Sequence, residues 1–412
     1  MPFSEAETIF FEDVLDGFEP NNITAKNCTL YTPDMQTFER SGLTVRRPMP
    51  YNAEIITGLD ITAGDDSVTQ LSVPSSLTTN DILNHKFKLS APELNDPKRR
   101  ADKAKAAVIS LSAKVDNSVA TEVGNRGSLV VTKAGQIDAY LDGALAEATM
   151  QEQDINIGME RCLIFNPRDA ANVAANIANR QTMNNPVMSA YQRSQLQPIG
   201  GFETLRASFN PRLGAAAGGA ITVAGAQNYV PLATNAAGEN VDNRFMDLTV
   251  SATANVAVGD AFTIAGVNSV GHIHKDDTGQ LKTFRVVEVV NGTTIKITPA
   301  IIPVGGASRA EREYANVTAG AAAGAAITWL NVNAAQVNTF FCKNAVEIIH
   351  GRLPGDEFAG MDVMRETTDS GVEILFAKQS AINDISTTYR LTMWARGHML
   401  NTEMGGILIG GQ

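Results

Sequence analysis

His272 and His274, with Asp276 and Asp277 close behind, come nearest in this chain to residues whose types and spacing could do chemistry. A His-x-His pair puts both imidazoles on one side of a strand, so two ligands to a divalent metal are geometrically possible. With Asp277 as a third ligand, such a site would support metal-assisted hydrolysis. No third imidazole lies nearby, and His85, His350 and His398 are isolated. An exposed loop is therefore the better reading of the segment. No phosphate-cradling glycine loop, nucleophile elbow or paired-cysteine motif occurs. Cys28, Cys162 and Cys342 are odd in number and far apart, which argues against a disulfide framework and a zinc site. Neither a catalytic residue nor a cofactor is expected.

Charge clusters are the other polar signal. Lys98, Arg99, Arg100, Lys103 and Lys105 crowd the start of the longest helix in the pattern. Cations at a helix N-terminus oppose its dipole, and like charges three or four residues apart repel. The cluster is either a solvated face or the contact site of an acidic partner. The first stretch of chain is acidic through Glu5, Glu7, Glu12 and Asp13 and has no basic segment, so it does not read as a signal peptide. The net charge is -11, which disfavours tight binding of nucleic acid by the chain as a whole.

The elements that must position these residues follow from periodicity. Residues 1–40 read as an arm whose Ile9, Phe10, Val14 and Leu15 dock either on their own core or on a neighbour. Residues 41–90 alternate apolar and polar between turn formers and suggest an extended two-stranded loop. Over 96–124 the spacing predicts a long helix, capped by Asp96, begun by Pro97, striped by Ala104, Val108, Leu111, Val115 and Val119, and stopped by Gly124. Such a helix reads as a spine for the other elements. A second helix is predicted over 137–150 along Ile137, Leu141, Leu145 and Ala148. Asn166-Pro167 caps a third, after a buried strand at Cys162–Phe165. Residues 91–219 are thus mixed α and β. A small-residue joint at Gly214–Gly219 opens a β-rich stretch, 220–341, with Asn291-Gly292 as a hairpin turn. This stretch reads as a small β-barrel inserted into a larger α/β domain, and 342–412 returns to mixed character. The glycine-bounded apolar tail, Gly405–Gly411, is expected to be paired.

In this order the elements resemble the HK97-like capsid fold: arm, extended loop, spine helix, mixed α+β core, inserted barrel. The chain resembles the coat proteins of the Salmonella-type short-tailed phages. The stretches that carry this are Gly127–Thr132, Val241–Phe245 with Leu248–Thr253, Arg285–Val287 through Ile297–Pro299, Tyr314–Val317, and Phe358–Met361. The resemblance implies a major capsid protein that self-assembles, as hexamers and pentamers, into an icosahedral virion shell around double-stranded DNA. It implies a scaffolding protein, a portal and sometimes decoration proteins as partners, synthesis and assembly in the host bacterial cytoplasm, and no membrane. In that family a loop of the inserted domain contacts neighbouring subunits. Here it would span about 233–243, with Asn235, Glu239, Asp242, Asn243 and Arg244 as contact residues. The acidic arm of a neighbour is the expected partner of the spine-helix cations. The alternatives are a tail-tube or surface-layer protein, or a metal-dependent hydrolase.

Overall fold

The computed structural model describes the chain except residues 1–2, 35–37, 39, 51–57, 61–70, 91–92, 94–95, 156–157, 180–195, 354–360, 369–370, 382–385 and 412. Most of the family-like stretch Phe358–Met361 lies outside the described residues. The chain divides into two compact units. One comprises Met1–Val45, Ser75–Val119 and Glu347–His398; the other comprises Arg46–Pro74, Ala120–Val346 and Met399–Gln412. The fold is mixed α+β.

In the first unit a six-stranded sheet runs in the order Thr29–Tyr31, Val346–Gly351, Ser386–Met399, Glu373–Ala381, Asp362–Thr367, with Ile82–Ser90 also pairing with Ser386–Met399. The arm forms a helix, Glu5–Asn21, and docks on this sheet of its own chain. Phe10, Phe11, Val14 and Phe18 are buried, at about 1.5–3 kcal/mol each. Phe10 packs on Phe87 and Phe376, and Phe11 stacks on Phe376 at 5.5 Å. The strand Ile82–Ser90 pairs over its whole length with Ser386–Trp394. Among the described residues of the expected two-stranded loop, Thr44–Pro48 pairs with Ser72–Ser76.

The spine helix runs Pro97–Arg126, two residues past the glycine expected to stop it. Asp96 begins it, its side chain accepting from the Lys98 N–H at 3.0 Å. Ala104, Val108, Leu111, Val115 and Val119 are all buried, as their spacing predicts.

The second unit holds a five-stranded sheet in the order Leu129–Thr132, Gly405–Ile409, Asn338–Cys342, Arg161–Phe165, Glu203–Arg206. The apolar tail is a buried inner strand here, parallel to Leu129–Thr132 and antiparallel to Asn338–Phe341. Asn166 caps Pro167–Ala178 by accepting from the Arg168 and Asp169 N–H groups. The helix expected over 137–150 is Tyr140–Glu152, and its buried face is Asp142, Gly143, Ala146 and Met150. Leu141 and Leu145, expected inside, are exposed. The rotation has a polar cause: Asp142 accepts from the Asp138 and Ala139 N–H groups and from Lys133, which draws its side of the helix inward.

A six-stranded antiparallel sheet also lies in this unit, in the order Met246–Thr249, Thr294–Thr298, Asp277–Asn291, Ala261–Val270, Ala326–Trp329, Ile221–Thr222. Asn291-Gly292-Thr293 makes the predicted hairpin turn, with Asn291 paired to Thr294. The two edge strands meet at a bridge between Val223 and Val250. Phe262, Phe284, Val286, Ile295 and Ile297 fill the interior, with Met49, Leu71, Val73 and Leu400 from outside the segment.

Candidate functional site

The segment 233–243 forms a self-supporting loop. Thr234 bridges Asn240, and Asn235 organises the tip by accepting from the Ala237 and Glu239 N–H groups and donating to Glu239 at 2.9 Å. Gly238 takes φ +77°, a conformation that favours glycine. Residues from Leu232 to Asn240 are exposed. The predicted contact residues then divide. Asn235 and Glu239 are at the exposed tip, whereas Asn243 and Arg244 are buried at the base. Asn243 accepts from the Tyr229 hydroxyl and the Leu232 N–H and donates to the Leu232 carbonyl. Arg244 forms a two-pronged pair with Asp242, at 2.9 and 2.7 Å, and donates to the Met399 carbonyl. The composition of the segment predicts exposure throughout; the intrachain pairing of Asp242 withdraws the base from the surface.

The predicted charge clusters also find partners within the chain. Glu7 is buried. It accepts from Lys378 at 2.9 Å and Tyr389 at 2.7 Å, and from both the N–H and the hydroxyl of Ser4 at the start of the helix. Burial would raise its pKa, but these hydrogen bonds leave it below the usual carboxylate value. Glu5, Glu12 and Asp13 remain exposed. Arg99 pairs with Glu93 at 2.8 Å and approaches Asp96 at 3.7 Å. Lys98, Lys103 and Lys105 are exposed and Arg100 is half-buried. Asp13 and Lys105 line one groove of about 480 Å³ between the arm helix and the spine helix, floored by Ala104 and Val108.

His272 and His274 have different neighbours. His272 is nearly buried, with Nε2 3.9 Å from Glu403; His274 is exposed, 3.9 Å from Asp154. The expectation of a wholly exposed loop therefore fails at His272. Among the described residues no group of His, Cys, Asp and Glu side chains is arranged to hold a metal ion.

Buried charges that the periodicity did not reveal hold the second unit together. Lys282, on the strand Asp277–Asn291, donates to Glu403 at 2.5 Å and to Gln153 at 3.1 Å, and Asn316 donates to the second oxygen of Glu403. Burial alone would raise the pKa of Glu403, but Lys282 and His272 pull it down to about 2. Three residues along the strand, Arg285 has no exposed surface. It donates to the Gly124 and Gly127 carbonyls at the end of the spine helix and twice to that of Gly259. A cation is well placed at that end of a helix. Gly127 must be glycine, because a Cβ there would lie 2.9 Å from the Gly406 backbone. A charge inside the run Phe284-Arg285-Val286-Val287 is the one sequence signal that could have marked it.

A family model described as "P22 coat protein - gene protein 5" matches residues 1–411. The chain belongs to the P22 coat protein family. It is thus a major capsid protein, a structural component of the phage shell and not an enzyme, and its location is the virion capsid. Among solved structures, the CUS-3 coat protein I-domain is 52% identical over 27% of this chain and 96% of its own, with a TM-score of 0.24. The capsid of cyanophage P-SCSP1u is similar over 95% of this chain and 88% of its own, at 10% identity and TM-score 0.44. A Mycobacterium phage Che8 structure is similar over 94% and 90%, at 7% identity and TM-score 0.42. The coat protein has no described helix long and apolar enough to cross a membrane.

Proposed function

We propose that this coat protein builds an icosahedral shell of hexamers and pentamers around double-stranded DNA. Its fold is read as HK97-like with an inserted β-barrel at 220–341. The observation that carries the reading is the family match over residues 1–411. The barrel is supported by the antiparallel sheet within those residues and by the bridge joining its edge strands. A scaffolding protein, a portal and, in some particles, decoration proteins are its partners, and assembly takes place in the host cytoplasm.

The contacts between subunits are assigned to exposed charges. Asn235 and Glu239 at the loop tip meet a basic neighbour, and Asp242, Asn243 and Arg244 hold that tip in place. Lys98, Lys103 and Lys105, with Arg99 and Arg100 beside them, meet an acidic surface in the assembled particle. Asp13 already shares a groove with Lys105 in its own chain, so a scaffolding segment is the better candidate for the remaining lysines. Expressing the chain with and without the scaffolding gene and imaging the product tests the reading. Closed shells with the scaffold are expected; tubes or flat sheets would overturn it.

A further inference from the structure

We propose that Asn291 is a self-modification site, at which the Gly292 backbone nitrogen displaces the side-chain amide and the asparagine becomes aspartate and isoaspartate. Water is the only co-reactant, and no enzyme is required.

The chemistry follows from the atoms that the hairpin turn brings together. The side-chain carbonyl carbon of an asparagine and the backbone nitrogen of the next residue can close a five-membered ring. Bulk on that next residue resists closure, and glycine has no side chain to supply it. Asn-Gly occurs once in the sequence, at Asn291-Gly292. It lies at the tip of the hairpin between the strands Asp277–Asn291 and Thr294–Thr298, where Asn291, Gly292 and Thr293 are all exposed.

The hydrogen bonds at this tip favour the attack. Asn291 Oδ1 accepts from the Thr293 N–H at 2.9 Å and from the Thr293 hydroxyl at 3.1 Å. These bonds hold the side chain back over its own backbone. Two donors on one carbonyl oxygen also polarise it and stabilise the negative charge that forms there as the nitrogen adds. Among the described residues, neither the Gly292 N–H, which supplies the nucleophile, nor the Asn291 side-chain NH2, which leaves, is held by a hydrogen bond.

In the first step base removes the Gly292 N–H proton and the nitrogen adds to Asn291 Cγ. The bond from Cγ to the side-chain nitrogen breaks, and ammonia leaves with a proton from water. Water then opens the succinimide ring. Cleavage at Cγ gives Asp; cleavage at the backbone carbonyl gives isoAsp. Asp adds a negative charge and keeps the chain length. IsoAsp inserts a methylene into the backbone, which displaces the bonds that clamp the turn. These run from the Thr253 N–H to the Gly292 carbonyl at 3.1 Å, from the Thr253 hydroxyl to the Asn291 carbonyl at 2.8 Å, and from the Val250 N–H to the Thr293 carbonyl at 2.8 Å. Coat subunits therefore become more acidic and looser at this tip with age.

Asn235 is an internal control. It is exposed and its Oδ1 also accepts two backbone N–H groups, but Ala236 follows it, and the methyl group hinders ring closure.

The test is peptide mapping by mass after incubation of the full-length protein in mildly alkaline buffer. The Asn291 peptide is expected to gain about 1 Da and to separate into two species of equal mass, Asp and isoAsp. The rate should rise about tenfold per pH unit, because base generates the nucleophile. Asn291 should convert at least about tenfold faster than Asn235, a comparison that needs no variant. Gly292→Ala should convert about tenfold or more slowly than the parent. An added Cβ there meets nothing within 4 Å and the backbone is outside the region that favours glycine, so the melting temperature should stay that of the parent. An unchanged Asn291, equal rates at Asn235 and Asn291, parent-like conversion in Gly292→Ala, or Asp without isoAsp each overturns the proposal.

Discussion

Single residues in this coat protein separate surface chemistry from internal wiring. Asp242 and Glu239 look alike in the sequence, three positions apart in one polar loop. Asp242 neutralises a buried arginine, whereas Glu239 is exposed. Asp242→Ala is therefore expected to destabilise the monomer by about 1–3 kcal/mol, since it leaves Arg244 without its carboxylate. Glu239→Ala should stay within about 0.5 kcal/mol. Denaturant melts of the two variants check this, and only Glu239 is a clean probe of assembly. The histidines set an acid limit. Burial lowers His272 and His350 to a pKa of about 4. The unfolded chain takes up these protons near the ordinary value of 6.5, so stability falls as pH drops from about 6.5 to about 4. Glu403, lowered to about 2, adds stability that is present above its ordinary value of 4.5 and lost as pH falls further. Thermal melts across pH 4–7 should follow this slope, and His272→Gln should flatten part of it.

At the scale of elements, Arg285 ties the six-stranded antiparallel sheet of the second unit to the end of the spine helix. Its four hydrogen bonds all go to carbonyls, with Gly124, Gly127 and Gly259 supplying them. Arg285→Met is expected to cost roughly 3 kcal/mol or more, because buried acceptors lose their donor. Hydrogen exchange should find the amides around 120–128 deprotected well before those of the strand Ala261–Val270. Equal loss in both would mean that the arginine supports the unit generally and not this junction.

At the scale of the molecule, the segment 220–341 shares its core with the chain around it. Met49, Leu71, Val73 and Leu400 enter its core, and Glu403 and the spine helix satisfy Lys282 and Arg285 from outside. Residues 220–341 expressed alone are expected to melt cooperatively and give dispersed amide signals, with both cations returned to water. A disordered spectrum would remove the domain boundary while leaving the capsid function in place.

Local pattern determined what depends on near neighbours. The spine helix from Asp96 onward, the Asn166-Pro167 cap, the Asn291-Gly292 hairpin and the need to pair the tail all follow from spacing, capping and turn chemistry within a few residues. The α+β class and the family were legible in the order of these elements. What tertiary structure decided is where one side chain meets another far away in sequence. The sequence leaves the arm helix equally free to dock on its own sheet or on a neighbour; Glu7 with Lys378 and Tyr389, and Phe10 against Phe376, settle it on its own. The helix Tyr140–Glu152 turned its leucines outward because Asp142 found hydrogen-bond donors inside. Asn243 and Arg244 went inward for the same reason. A polar residue in sequence reads as surface, and only the distant partner that satisfies it can make burial the lower-energy state.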